Sequence, residues 1–259
     1  MRALPPNKNG RAIVANTSHP EYNPLIRKLD SIFRLSDEER TALANLPMQV
    51  MDLRADQDIV REGDTPVESC LIVRGFACRY ILTGQGKRQI LSFHMAGDIP
   101  DLQSLHLSVM DHNLATVVPT ELAFIRHEDL RALIRSQPRL GDLFWRDTLI
   151  DAAVFRQWMV GMGRRPAEGQ LAHLLCELLV RMRAVGLIEN HSFELPLTQA
   201  ELGDALGLST VHVNRVLQDL RRDGLISLRG AFVNVQDWAR LKTIGEFDPT
   251  YLHLAKEAV

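Results

Sequence analysis

Cysteine is scarce: the chain of 259 residues holds three, Cys70, Cys78 and Cys176. The number is odd and no CxxC spacing occurs, which argues against a disulfide framework and a zinc ribbon. Each reads as a small buried hydrophobe rather than a redox group. Long apolar runs are also missing. No stretch gives eighteen uninterrupted apolar residues, so no membrane-spanning helix is expected. The start, MRALPPNKNGRAIVANTSHPEYNP, is polar and lacks the apolar segment of a signal peptide. A cytoplasmic protein without a membrane partner is the expectation. Neither charge sign dominates: 30 Lys and Arg against 32 Asp and Glu leave a net charge of -2. The whole chain therefore offers no basic field to nucleic acid, and any such partner would have to be met by local charge.

What is present divides into two grammars, and the length allows two domains with a core each. After a tail expected to be flexible (1–30), Ser36 caps a short acidic helix running towards Leu46 and stopped by Pro47. From about Met48 to Ile125, short apolar runs alternate with turn signals at Gly63-Asp64, Gly75, Gly84 to Gly86, Gly97-Asp98 and Pro119. The runs are Val50 to Leu53, Ile59 to Val60, Cys70 to Val73, Cys78 to Leu82, Ile90 to Phe93, Ala115 to Val118 and Leu122 to Ile125. Strands so spaced, without helices between them, predict a sandwich, barrel or roll. HEDLRALIRS then predicts a short helix closed by Pro138. From Leu140 to Gly161, Leu143, Phe144, Leu149, Ile150, Val154, Phe155, Trp158 and Met159 put apolar surface on more than one side of a long helix. Such a helix needs two partners, its own roll and the same helix of a second subunit. Gly161, Gly163 and Pro166 mark a hinge, and a further helix is predicted over about Ala167 to Ala184.

The stretch from Leu197 to Arg229 carries the most specific pattern. Thr198 with Glu201 three residues on forms a capping box, and Leu197 and Leu202 can staple it. Gly207 suits a helix end and Ser209 caps the next helix. Two helices meeting across about three residues have the spacing of a helix-turn-helix, with Gly203 at the close approach and Val213 filling the angle. On the second helix Val213, Val216, Leu217 and Leu220 repeat inward, while Val211, Asn214, Arg215 and Gln218 repeat on another face able to read bases. Arg215, Arg221, Arg222 and Arg229 supply the local positive charge. Leu225 to Val235 predicts two strands turning at Gly230, a wing.

This order of elements resembles the Crp/Fnr family of bacterial transcription regulators over about Ser31 to Val235. The motifs that carry the likeness are REGD at Arg61 to Asp64 with Gly75 beyond it, AGD at Ala96 to Asp98, MGRRPAEGQLAHLLCEL at Met162 to Leu178, and LTQAELGDALGLSTVHVNRVLQDLRRDGLI. The resemblance implies an α+β chain: a sensor β-roll like a cyclic-nucleotide-binding domain with flanking helices (31–137), a long dimerisation helix and hinge (138–163), and a C-terminal winged helix-turn-helix (164–259). It further implies a homodimer that inserts Thr210 to Gly224 of each subunit into the major groove of palindromic double-stranded DNA, acts with RNA polymerase, and is not an enzyme. Arg215 falls on the family's guanine-contacting arginine, with Asn214 and Gln218 on its face. Thr210 and His212 lie within reach of phosphate or base, Thr198 and Gln199 match the phosphate-contacting helix start, and Ser209 and Arg222 complete the DNA-binding candidates. Where many members carry a glutamate four residues before the arginine, Val211 stands here. It cannot accept from cytosine but can press on a thymine methyl, so an altered half-site is expected.

The same resemblance speaks against known effectors. Asp101 lies near the position of a ribose-binding carboxylate, but Asp111 and His112 stand where an Arg-Ser pair takes the cyclic phosphate, and an aspartate there repels it. No N-terminal cysteine cluster is present to hold an iron–sulfur centre. His94, His106 and His112 are single histidines in or near the roll, not a haem pocket. No cofactor is therefore expected, and any effector in the roll is unidentified. Two other classes remain at this stage. A metal-dependent cupin-like enzyme needs a histidine cluster, for which Ser92-Phe93-His94 offers a lone residue. A cyclic-nucleotide-responsive sensor needs the phosphate pair that Asp111 disrupts.

Overall fold

Two antiparallel sheets make up the roll. β1 (Gln49–Leu53), β7 (Thr120–Arg126) and β3 (Glu68–Arg74) form one, in the order β1-β7-β3. β2 (Asp58–Val60), β6 (Asn113–Thr116), β4 (Phe76–Leu82) and β5 (Arg88–Met95) form the other, in the order β2-β6-β4-β5. Every apolar run expected to be a strand lies within or overlaps one of these, because β-branched and apolar residues are bounded by turn residues at each reversal. In register, Leu71 opposes Ala123 and Cys78 lies between Phe93 and Ala115. The interior is filled by Leu53, Val60, Cys70, Ile72, Ala77, Met110, Leu114 and Leu122. One expectation fails here: a 3-10 turn, Leu102–Leu105, stands between β5 and β6. All three cysteines are free and buried.

This computed structural model describes residues 23–188 and 190–254. The part of the expected tail at 1–22 lies outside the described residues. Its remainder is not tail: α1 (Pro24–Ile32) is a helix, capped by Asn23, whose Oδ1 accepts from Leu25 and Ile26 backbone nitrogens at 3.0 and 3.3 Å. Leu25, Ile26, Leu29 and Ile32 are buried with Ile125, Leu130 and Leu140, which fixes α1 against the roll. At about 1.5–3 kcal/mol for each such side chain, that contact offsets much of the cost of ordering a single short helix. α2 (Asp37–Ala44) starts at the Ser36 capping box, as its SDEE signal predicts.

α3 (His127–Ser136) and α4 (Pro138–Arg164) follow. Pro138 does not close α3; it opens α4, since proline's fixed φ and missing N–H suit the first helical position. The expected hinge moves as well. α4 continues through Gly161 and Gly163 to Arg164 and breaks at Arg165, whose ψ of 142 is the extended conformation imposed by the following Pro166. Two glycines inside a long helix do not interrupt it; a proline after its end does. The 27 residues of α4 span about 40 Å.

The second half is built on α5 (Ala167–Ala184), as predicted, and buried almost all round. Around it lie α6 (Gln199–Leu206), α7 (Thr210–Arg222), α8 (Trp238–Ile244) and a final 3-10 turn, Pro249–Leu252. The wing has three strands rather than two: β8 (Ser192–Glu194), β10 (Phe232–Val235) and β9 (Ile226–Arg229), ordered β8-β10-β9. Three residues of β8, one of them apolar, leave too short a pattern to be read from sequence. One apolar cluster runs from Phe76, Phe93 and Trp158 through α5 into Leu202, Val213 and Leu220, so the roll and the C-terminal half share a core.

Candidate nucleic-acid interface

The helix pair is assembled by the local signals of its sequence. Thr198 Oγ1 accepts from Glu201 N at 3.2 Å, and Glu201 Oε2 accepts from Thr198 N at 2.7 Å, closing the capping box. Gly207 ends α6 at φ 67, and Ser209 Oγ accepts from His212 N at 3.2 Å to start α7. Gly203 sits where the chain turns back on α6: a Cβ there would lie 2.6 Å from the carbonyl oxygen of Leu208. Gly203→Ala is accordingly expected to cost about 1–3 kcal/mol of stability and to weaken DNA binding by opening the interhelix angle. A denaturant melt beside a gel-shift titration measures both. Val213, Val216, Leu217 and Leu220 are buried, as the spacing predicted, and Val213 fills the angle.

The other face of α7 is open. Val211 is 80% exposed, Thr210, Arg215 and Gln218 are exposed, and His212 and Asn214 are half-buried. Among the described residues Arg215, Arg221 and Arg229 carry no ion pair. Arg222 differs, since it pairs with Asp219 at 2.7 Å and Asp223 at 3.1 Å. Its charge is thus partly neutralised, and of the predicted contacts it is the least available to phosphate. Thr198 is also engaged, its hydroxyl donating to Glu201 Oε2 at 2.8 Å. Of the first-turn amides of α6, Glu201 N is taken by the cap, and those of Gln199 and Ala200, which lack intrahelical partners, remain as anion donors. Gln199, Asn214 and Gln218 are brought together by hydrogen bonds that the sequence did not reveal: Asn214 Nδ2 donates to Gln199 Oε1 at 3.1 Å, and Gln218 Nε2 donates to Asn214 Oδ1 at 2.8 Å.

α6 is also tied to the roll. Arg88 Nε of β5 donates to Asp204 Oδ2 at 2.8 Å, and Gln89 Nε2 donates to the carbonyl of Ala205 at 3.3 Å. Deeper in, Arg181 of α5 pairs with Asp98 at 3.0 Å and Glu177 at 3.4 Å, while Lys28 of α1 pairs with Asp98 at 2.8 Å. Glu177 further accepts from Trp158 Nε1 at 3.2 Å and Tyr251 OH at 2.8 Å. Burial raises the Glu177 carboxyl, with Arg181 opposing. Burial also acts to raise Asp98, but Lys28, His94 and Arg181 together hold it well below the ordinary carboxylate range. Apart from the i,i+4 pair Glu177–Arg181, the paired charges lie 70 and 83 positions apart in the chain, so no local pattern announced them.

Several of the roll's polar residues singled out in the sequence are engaged within the chain. Asp101 is buried and its Oδ1 accepts from Cys70 N at 2.8 Å, which turns it from the ribose position into a brace between strand and turn. Burial raises its carboxyl to about 7. Asp111 pairs with His112 Nδ1 at 2.6 Å. His94 is buried and bonded to Ser92 Oγ at 2.8 Å. Among the described residues no group of three or more His, Cys, Asp or Glu is placed to hold a metal ion, and no helix is long and apolar enough to cross a membrane.

A roll, a long helix with an apolar outer stripe, and a winged helix-turn-helix with a free guanidinium on its second helix define a DNA-binding protein built for regulation. Comparison with known proteins agrees. The family model for the cyclic nucleotide-binding domain matches residues 50–137, and that for the Crp-like helix-turn-helix domain matches 169–244. The transcriptional activator protein FnrL of Cereibacter sphaeroides is 28% identical over 212 residues, covering 79% of this chain and 84% of that one. Electron transport regulator A of Shewanella oneidensis is 23% identical over 239 residues, covering 92% and 95%. Among solved structures, FixK2 from Bradyrhizobium japonicum has a TM-score of 0.70 at 22% identity, over 77% of this chain and 98% of that one. The chain belongs to the Crp/Fnr family of DNA-binding transcription regulators, proteins that are not enzymes.

Proposed function

We propose that the protein acts as a homodimer that sets the α7 helix of each subunit into successive major grooves of a palindromic site, with half-sites about 34 Å apart. The observation that carries this reading is the open face of α7, where Arg215 stands unpaired between Val211 and Gln218. In this arrangement Arg215 takes guanine O6 and N7, and Val211 packs on a thymine methyl. Thr198, Gln199, Ser209, Thr210, His212 and, less readily, Arg222 approach the phosphates. Bound this way, the dimer meets RNA polymerase as its partner at a promoter.

The second subunit is supported by α4. Trp145, Leu149, Phe155, Met159 and Met162 are exposed, Trp145 to 63% and Met159 to 57%, and with half-buried Ala152 they repeat at near-heptad intervals along the helix. The opposite side, Leu143, Ile150, Val154 and Trp158, is already buried within the chain. An apolar stripe of this length on a second helix of the same sequence makes a short two-fold coiled coil. Met159→Glu is expected to convert the protein from dimer to monomer in sedimentation velocity and to abolish its preference for a palindrome over a single half-site. A variant that remains dimeric would place the subunit contact elsewhere. Control by an effector would act through the roll; Asp111, paired with His112, favours a ligand other than cyclic AMP, or none.

A further inference from the structure

The three amides at the interface form a chain with a direction. Each carboxamide has one oxygen and one NH2 group, and turning the group over exchanges them without changing its shape. As arranged, Gln199 Oε1 is occupied by Asn214 Nδ2, and Asn214 Oδ1 by Gln218 Nε2. The NH2 of Gln199 and the oxygen of Gln218 are left for other partners, together with one N–H of Gln218. Reversed, the chain would present the Gln199 oxygen at the start of α6 and both N–H groups of Gln218 on α7. Both ends stand at the proposed interface, Gln199 as the first residue of α6 and Gln218 exposed on α7 one turn beyond Asn214.

We propose that Gln199, Asn214 and Gln218 are a directional relay, in which a backbone phosphate at α6 fixes the polarity with which Gln218 meets a base. A phosphate oxygen only accepts, so it selects the arrangement in which Gln199 offers NH2. That choice passes through Asn214 and leaves Gln218 one acceptor and one donor, the complement of adenine N6–H and N7. Gln218 then reads adenine beside the guanine read by Arg215, and Asn214, with one hydrogen bond to each helix, is a positioning residue rather than a base reader. The inference rests on the reading of α7 proposed above and adds a coupling between a contact that carries no sequence information and one that does.

Selection of half-sites from a randomised palindromic duplex library by the full-length protein tests this, with thermal melts to confirm that each variant folds. The wild type is expected to select guanine and, at one further position, adenine by at least about fivefold over other bases. Gln218→Ala should lose the adenine preference. Asn214→Ala and Gln199→Ala should lose it as well, although neither residue touches that base, while the guanine preference survives in all three. Asn214→Asp accepts from both glutamines; it should retain adenine, because Gln218 keeps its polarity, but bind all sequences more weakly because Gln199 must turn its oxygen outward. Adenine selected undiminished by Asn214→Ala and Gln199→Ala, or no adenine position in the wild type, overturns the relay alone. A selected sequence that does not respond to Arg215→Ala overturns the underlying assignment of α7 as well.

Discussion

Arg215→Ala is expected to weaken binding to the cognate palindrome by roughly thirtyfold to ten-thousandfold, with little change in binding to a scrambled duplex. A bidentate arginine–guanine contact is worth about 1–3 kcal/mol of discrimination, and a two-fold complex contains two of them. The free protein lets this be felt almost in full. Arg215 is exposed and among the described residues has no ion pair, so nothing has to be broken before the guanidinium enters the groove. Arg222 provides the contrast about two turns further along. Its pairs with Asp219 and Asp223 offset what a phosphate contact would contribute, so Arg222→Ala should lower affinity only a few-fold, uniformly across sequences. Arg215→Lys completes the set, because an ammonium keeps the charge but lacks the planar fork and should lose discrimination more than affinity. Parallel titrations of cognate and scrambled duplexes at one salt concentration separate the cases. An equal loss on both duplexes after Arg215→Ala would mean that the residue meets phosphate and not guanine.

Where local rules decided the outcome, the sequence could be read. α5, the capping boxes at Ser36 and Thr198, the αL residue Gly207 and the buried face of α7 all follow from spacings within one or two helical turns, and the structure has them. The strands of the roll were legible for the same reason, since each apolar run is bracketed by residues that force a reversal. The misreadings share the opposite property. α1 looks like polar tail because its burial depends on surfaces from β7, α3 and α4 that are about a hundred residues distant. Gly161 and Gly163 suggested a break, yet glycine's helix penalty of about 1 kcal/mol is too small to interrupt α4, and only the constraint before Pro166 ends the helix. In the interface, the sequence placed Asn214 and Gln218 on one face but could not pair either with Gln199, fifteen positions back on another helix. Asp101 is a like case: it falls near the position of a ribose carboxylate, but its partner, the Cys70 amide 31 positions back, is not legible from local spacing.

The ion cluster beneath α5 gives the largest stability effect. Arg181 reaches from the base of the DNA-reading half into the roll, where Nη2 donates to Asp98 at 3.0 Å and to the carbonyl of Phe93 at 3.1 Å, and Nη1 to Glu177 at 3.4 Å. Arg181→Met keeps much of the side-chain volume but leaves two buried carboxylates with less compensation, and breaking a buried pair in this way costs about 3–5 kcal/mol. The cost here should fall near the lower bound. Asp98 retains Lys28 at 2.8 Å, and Glu177 retains the donors Trp158 and Tyr251. The pH dependence identifies the cause. In the wild type Asp98 is held well below the usual carboxylate value, so the stability it confers is fully present above that ordinary value and is lost as pH falls through the depressed one. Without Arg181 the carboxyls of both Asp98 and Glu177 rise, and protonating them relieves charge that the variant no longer compensates. The gap between wild type and Arg181→Met should therefore be widest near neutral pH and close as pH falls towards the carboxylate range. Urea melts at a series of pH values measure it. A gap below about 1 kcal/mol near neutrality, or one that stays constant with pH, would show that apolar packing of Trp158 and Phe93, and not this cluster, fastens the reading half to the roll.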